Sequence, residues 1–308
     1  MSDTHHLLRS DKKMRPFTLV LGGGGARGLA HIGVLKALEK LQLIPSLIVG
    51  TSMGAVVGAM YAQMLNAELV EERFAKFLRG KFYRQIGLEQ FSDTDDISSP
   101  SVWERFTAHL RQRYLFSRSA LGSGEFARTK LLQALGLLLD DAELRDLRIP
   151  FAAVTCDLTD GEEFIFTSGP LVTAVAASAA VVGVVAPIRI GRRLFIDGTV
   201  TSTIPVPAAR SLSPNPVIAV DVRKSLGEFA QYRRGYEVVL RSNEITSYKF
   251  NEMHLRKADV VLRPHVTDFD WNQFRQIKKC VKAGEISVEQ NRKQILAKLK
   301  KKFWLFPW

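Results

Sequence analysis

The sequence predicts an α/β protein: a three-layer α/β/α fold built on a central, mainly parallel sheet. A strand–turn–helix pattern appears twice within about fifty residues near the start, which is how parallel α/β units read. Short apolar runs of strand length then recur after residue 149. Two long uncharged stretches, Leu41–Ala67 and Leu171–Ile188, are rich in small residues and read as buried elements of such a core.

The elements follow in order. Phe17–Leu21 (FTLVL) is an apolar run that stops at the four glycines Gly22–Gly25. Beyond them Leu29, Ile32, Val34, Leu35, Leu38 and Leu41 fall at helical spacing. Leu47–Val49 is the next strand, Gly50 a turn, and Met53 to about Leu65 a helix of small residues. Residues 66–150 read as mainly helical, with loops near Phe91–Ser101 and Ser117–Glu125. Ile149–Cys156 resumes strand character, and the turn Asp160-Gly161 leads into Glu163–Thr167 as a hairpin partner. Thr173–Ala180 reads as a buried helix, and Arg193–Ile196, Val217–Val222 and Ala258–Leu262 as strands. From Gly284 a basic helix runs to an aromatic end. The expected organisation is a polar, mobile arm over 1–16, one domain over 17–284 and a C-terminal helix over 285–308.

Composition narrows the function. A chain of 308 residues with 46% hydrophobic and 24% charged side chains has ordinary globular usage, which excludes wholesale disorder. The formal net charge of +12 favours an anionic partner, nucleic acid or an acidic membrane surface. Cys156 and Cys280 form neither a disulfide framework nor a zinc-ligand spacing, which suits a reducing cytoplasm. The first sixteen residues lack the apolar segment of a secretory signal. Pro45 and Gly50, Gly54 and Gly58 in the first uncharged stretch, and the low hydrophobicity of the Ala/Val-rich second, argue against membrane spans.

Gly50-Thr51-Ser52-Met53-Gly54 places a Gly-x-Ser-x-Gly segment between a strand and a helix. A nucleophile on such a sharp turn adopts strained backbone geometry, and small neighbours let strand and helix approach. The helix N-terminus beneath the hydroxyl would stabilise negative charge. A plain N-cap role for Ser52 is the alternative.

Gly22–Gly25, followed by Ala26-Arg27-Gly28, leaves consecutive main-chain N–H groups unobstructed before a helix. That arrangement suits a phosphate cradle or an oxyanion hole. Gly23, Gly25 and Gly28 match G-x-G-x-x-G, but a dinucleotide site needs a carboxylate about twenty residues on. The chain there reads Ile48-Val49-Gly50-Thr51-Ser52. No Gly-Lys-Ser/Thr follows either, so a P-loop also fails. The oxyanion reading stands.

A serine hydroxyl needs a base. Chain order offers Ser52…Asp197…His254 or His265, the order of an α/β-hydrolase triad. Asp197-Gly198 directly follows the strand Arg193–Ile196, whereas neither histidine has an evident catalytic context.

With these blocks in place, the chain resembles the patatin-like phospholipase family, in particular its small bacterial members and its neuropathy target esterase branch. The resemblance rests on Gly-Gly-Gly-Ala-Arg-Gly at 23–28, Gly-Thr-Ser-Met-Gly at 50–54 and Asp-Gly at 197–198, in that order. LAHIGVLKAL at 29–38, Val154–Glu163, IPV at 204–206 and ADVVLRP at 258–264 support it, and it covers about Phe17 to Gly284. It implies a patatin-like fold, a Ser52–Asp197 dyad without a catalytic histidine, and an oxyanion hole in the loop Gly23–Gly28 with the Gly24 and Gly25 amides as donors. It also implies no cofactor and no metal, and a phospholipid or other fatty-acyl ester as substrate. Three positions depart from the family's pattern: Thr199 follows Asp197-Gly198, Val182–Pro187 replaces a proline-rich wall, and Thr203 replaces a frequent asparagine. They bear on substrate range.

Arg292, Lys293, Lys298, Lys300, Lys301 and Lys302 surround a face of Leu296, Leu299 and Phe303, followed by Trp304, Phe306 and Trp308. Such a segment fits an anionic membrane interface or, alternatively, docks on the domain. No nucleic-acid-binding motif accompanies the charge, so nucleic acid is not expected as a partner. The expected place is the cytoplasm, at the inner face of its membrane. The rival to an acyl hydrolase is a feebly active relative that binds lipid or a partner through the same pocket.

Overall fold

The computed structural model describes residues 14–86, 120–227, 235–269 and 272–300. The arm up to residue 13, the predicted loop at Phe91–Ser101 and the aromatic end from Lys301 lie outside the described residues.

Two α/β units open the chain. Strand β1 (Thr18–Leu21) leads through the glycines and a short 3-10 turn (Gly25–Leu29) into α1 (Ala30–Lys40). Strand β2 (Leu47–Thr51) leads into α2 (Met53–Met64). Helices α3 (Ala67–Arg79), α4 (Lys81–Ile86) and α5 (Ala120–Leu138) follow, then the hairpin β3 (Phe151–Asp157) and β4 (Glu163–Phe166). Next come α6 (Leu171–Ser178), β5 (Ile188–Ile190), β6 (Arg193–Asp197), α7 (Val206–Leu212) and β7 (Val217–Val220). Helix α8 (Gly235–Leu255), β8 (Val260–Leu262) and α9 (Ile277–Leu299) complete the order.

The hydrogen-bonded path is β5-β6-β3-β2-β1-β7-β8, with β4 on β3. Pairs β2–β1, β1–β7, β7–β8 and β2–β3 are parallel, and β3–β4, β3–β6 and β5–β6 antiparallel. Strand β3 has three partners on two edges. Its register with β4 covers Ala153–Cys156 and overlaps the other two, so β2 (against 151–154) and β6 (against 155–157) share the remaining edge, end to end. The end of β6 therefore meets the end of β2.

The central strands β1, β2, β3 and β7 are buried on both faces, as a three-layer arrangement requires, while β4 is half-buried and β5 largely exposed. Leu19, Leu21, Ile48, Ile218 and Val220 point into the larger core with α1, α2, α3 and α9. Val20, Val49, Val217 and Ala219 point into a smaller one with Ile204, Ala209 of α7 and Leu255 of α8. Full burial of a leucine such as Leu19 contributes roughly 1.5–3 kcal/mol.

Three expectations are corrected. The loop at Ser117–Glu125 is helical from Ala120, because Gly124 serves contact rather than turning: its carbonyl accepts from the Ala186 amide at 3.0 Å. The last helix begins at Ile277, not Gly284, for a similar reason. A side chain at Gly284 would overlap the Ala30 carbonyl, and one at Gly33 the Val281 carbonyl, so α1 and α9 meet through glycines. The face of Leu296 and Leu299 offered to a membrane turns inward, with Leu299 fully buried and Leu296 packed against the core. Strand β5 had no separate expectation; Gly191, at φ 60°, turns it into β6. Among the described residues, no helix is long and apolar enough to cross a membrane.

Candidate active site

The β2–α2 turn is set by what surrounds Ser52. A side chain at Gly54 would overlap the Leu21 carbonyl, and one at Gly50 would lie 2.6 Å from the Gly54 carbonyl oxygen, so helix and strands approach at backbone distance only with glycine in both places. Ser52 itself adopts φ 54°, ψ −122°, a conformation that costs a non-glycine residue about 1–3 kcal/mol. Its amide donates to Ser178 Oγ at 3.0 Å, and Ser178 Oγ in turn donates to the Val154 carbonyl at 2.6 Å. The strained turn is thus fastened to β3.

The Ser52 hydroxyl makes no N-cap bond to α2. It donates instead to Asp197 Oδ2 at 2.7 Å. Both residues are buried, Ser52 at 8% exposure and Asp197 at 2%. Strand pairing explains the encounter: Thr51 pairs with Val154 on β3, and Asp197 with Thr155, the next residue along the same edge. Gly198 is required beside them, since a side chain there would overlap the Val154 carbonyl.

Asp197 is held at both oxygens. Oδ1 accepts from the Thr199 amide at 2.8 Å, while Oδ2 takes Ser52. Burial raises the Asp197 pKa above the usual carboxylate range, and the hydrogen bonds from Thr199 and Ser52 partly offset that. A carboxylate so tuned is a better base than an exposed one.

The glycine loop lies against the same pair. A side chain at Gly23 would come within 2.6 Å of Thr199 Cγ2 and 3.3 Å of Ser52 Cβ. The Gly23 amide is spent on the Thr203 carbonyl at 2.8 Å, which removes it from any donor set. Among the described residues, no backbone bond outside the 3-10 turn uses the amides of Gly24 or Gly25, and those of a first helical turn have no partner within it. Gly25 holds φ 57°, Ala26 is buried, and a side chain at Gly28 would overlap Met53. Arg27 lies close enough to Cys280 to moderate that thiol, which burial pushes up to about 11.

The histidines stand elsewhere. His254 Nδ1 faces Ser202 Oγ at 3.2 Å and its ring packs on Phe250 at 4.2 Å between centroids. His265 is 83% exposed beside Asp268. Among the described residues, no cluster of His, Cys, Asp or Glu could hold a metal ion.

A profile of the family described as "Patatin-like phospholipase" matches residues 19–210, a span that includes the glycine loop, Ser52 and Asp197. The chain belongs to the patatin-like phospholipase family. Among relatives, an uncharacterised NTE family protein of Mycobacterium bovis is 33% identical over 207 residues, 67% of this chain and 49% of that protein. Patatin-like phospholipase domain-containing protein 6 of Mus musculus is 32% identical over 206 residues, 66% of this chain and 13% of that protein. The chain thus spans half or less of these relatives' length. The crystal structure of VipD from Legionella pneumophila aligns at a TM-score of 0.44 and 12% identity, over 90% of this chain and 66% of that one.

Against the family's pattern, Thr199 is accommodated: its amide serves Asp197 and its methyl group packs on Gly23. Where Thr203 replaces asparagine, an amide arrives from α8 instead. Buried Asn251 accepts from the Ile204 amide at 3.1 Å and donates to Thr203 Oγ1 at 3.3 Å. Val182, in the altered wall, is 45% exposed. Sequence reasoning missed Asn251, Ser178 and His31. The buried His31 Nε2 donates to the Gly22 carbonyl at 2.7 Å and pins the glycine loop from below. Its place in LAHIGVLKAL, one turn after the glycines, was the available signal.

Proposed function

We propose that the protein is a serine lipid acyl hydrolase working through a Ser52–Asp197 dyad. The single observation that carries this reading is the 2.7 Å bond between the two buried side chains. In the proposed cycle Asp197 Oδ2 accepts the Ser52 proton as Oγ attacks an ester carbonyl carbon. The carbonyl π pair moves onto oxygen, where the Gly24 and Gly25 amides and the start of the helix stabilise it. Collapse breaks the carbon–oxygen bond to the alcohol, which leaves with the proton from Asp197. Water then gives a proton to Asp197, attacks the acyl group and releases the fatty acid, and Ser52 recovers its proton. The substrate class is a phospholipid or related fatty-acyl ester, in keeping with the family.

The test is hydrolysis of a soluble short-chain ester and of phospholipid. Ser52→Ala and Asp197→Asn should each lower turnover roughly a thousandfold or more, while His254→Gln keeps most of it. The wild-type rate should rise with pH along a limb displaced above the ordinary carboxylate range, because the base must be unprotonated. Asp197→Asn should also raise the melting temperature at neutral pH. A raised native pKa gives stability below the unfolded value and loses it as pH rises through the native value, so the neutral amide avoids that loss. Unchanged ester turnover in Ser52→Ala would overturn the reading.

A further inference from the structure

We infer a second binding site: a basic groove between the end of β8 and α9 that receives the phosphate of a lipid head group at an anionic membrane surface. The choice of lipid as occupant rests on the acyl-hydrolase reading; the groove itself does not. A cavity of about 410 Å³ is lined by Arg263, Lys278, Lys279, Lys282, Ala283 and Ile286, among others. Lys278 and Lys279 stand in the first turn of α9, where the helix end adds positive potential of its own.

The charges there are unequal in availability. Arg263 approaches Asp221 at 3.5 Å and Glu252 at 3.4 Å and, with Arg223 at 2.9 and 2.7 Å from the same carboxylates, completes a charge-balanced set, so it offers no spare charge. Lys282 faces Glu285 at 3.6 Å, which Lys40 shares at 3.0 Å, and His265 faces Asp268 at 3.5 Å. Lys278 and Lys279 have no acidic partner among the described residues and both are exposed. Two uncompensated ammonium groups at the mouth of a concavity form a receptor for an anion rather than a solvated face with its own counter-charges.

Two features favour lipid over nucleic acid. Ala283 and the 44%-exposed Ile286 give the groove an apolar side that suits glycerol and upper acyl carbons. The second is position. Strands β2, β1, β7 and β8 are parallel neighbours, so their carboxyl ends lie along one edge. Ser52 follows β2 and Arg263 follows β8, three strand spacings away, roughly 14 Å. A flat lipid surface against the mouth of the Ser52 site would therefore meet the groove as well.

Full-length Ser52→Ala protein, which cannot consume the lipid, should be partitioned between buffer and vesicles of phosphatidylcholine with or without an equal part of phosphatidylglycerol. Binding should require phosphatidylglycerol. Adding Lys278→Gln and Lys279→Gln should weaken it roughly thirtyfold, about fivefold per lysine. The charge-matched pair Lys76→Gln and Arg145→Gln, exposed and not part of the groove's lining, should change it less than twofold. The lysine variant on a wild-type Ser52 background should keep its melting temperature and its turnover of a soluble short-chain ester. Undiminished vesicle binding by the lysine variant would overturn the inference, as would loss of binding only on truncation after Lys300. Preferential capture of an oligonucleotide, abolished by the same two lysines, would assign the groove to nucleic acid instead. Lysine-dependent vesicle binding together with no ester turnover by the protein that retains Ser52 would leave the groove standing and overturn the dyad.

Discussion

The Ser52 turn and the Asp197 loop are two halves of one site, yet they are held in opposite ways. The turn takes its shape from its own neighbours in sequence, since Gly50 and Gly54 set the approach of α2 to the sheet and Ser52 takes up the resulting strain, and one distant side chain, Ser178, fastens it to β3. The loop is fixed by distant groups. Thr155 on β3 donates to the Ile196 carbonyl at 2.5 Å, and Asn251 on α8 braces Thr203 and Ile204. Short-range geometry thus aims the hydroxyl, and the assembled fold aims the carboxylate. The two halves should fail differently.

The largest effect is expected in the turn. A methyl group at Gly54 would occupy the place of the Leu21 carbonyl, a main-chain atom that cannot swing aside. Gly54→Ala should cost about 3 kcal/mol or more and separate α2 from β1, read as a loss of soluble, cooperatively unfolding protein. A variant that folds normally would mean that the approach of helix to strand is softer than its geometry implies.

His31 comes next, and its effect depends on pH. Burial lowers its pKa to about 4, against the hydrogen bond to Gly22 and the field of Asp221. The native state therefore binds fewer protons than the unfolded state between the ordinary value near ~6.5 and the native one. Stability from this group is present above that window and lost as pH falls through it, on the order of 3 kcal/mol in full. Denaturant unfolding of His31→Gln between neutral pH and pH ~4 should give a flatter profile than the wild type. Parallel profiles would remove His31 from the acid response. Ser178→Ala follows at about 2 kcal/mol, since it strips partners from the Ser52 amide and the Val154 carbonyl in a dry interior. Because Ser178 touches the turn directly, its loss should lower kcat more than it raises KM.

This contrast also explains what the sequence could tell. The paired α/β units, the small-residue helix α2 and the glycine loop are written in local spacing, and the structure has them where expected. The strain at Ser52 was legible for the same reason, as a Gly-x-Ser-x-Gly between strand and helix. The meeting with Asp197 was expected from chain order and from the family resemblance, but its physical cause was not legible, because it depends on β2 and β6 sharing one edge of β3, a fact about register rather than composition. Gly124 and Gly284 misled because a glycine that admits a neighbouring backbone reads like one that ends a helix. Gly23 belonged to the expected oxyanion-hole loop, whose donors were expected at Gly24 and Gly25, and its own amide is tied to Thr203, a contact between residues far apart in sequence.

Asn251 gives the smallest effect and the sharpest distinction between the two halves. Its side chain joins α8 to the Asp197 loop through Ile204 and Thr203, with a third bond to the Ser247 carbonyl at 2.8 Å inside its own helix. Asn251→Ala leaves the buried Ile204 amide without its acceptor and should cost about 1 kcal/mol of stability. A merely structural brace would do no more than that. If the loop positions the carboxylate, the variant should also move the acid limb of the ester pH–rate profile and leave the turn untouched. Thr203→Val should move the same limb, and the double variant should be clearly less than additive, because both changes break one connected set of bonds. Additive losses with an unmoved limb would show that the carboxylate is aimed by its immediate neighbours, such as the Thr199 amide, and not by α8.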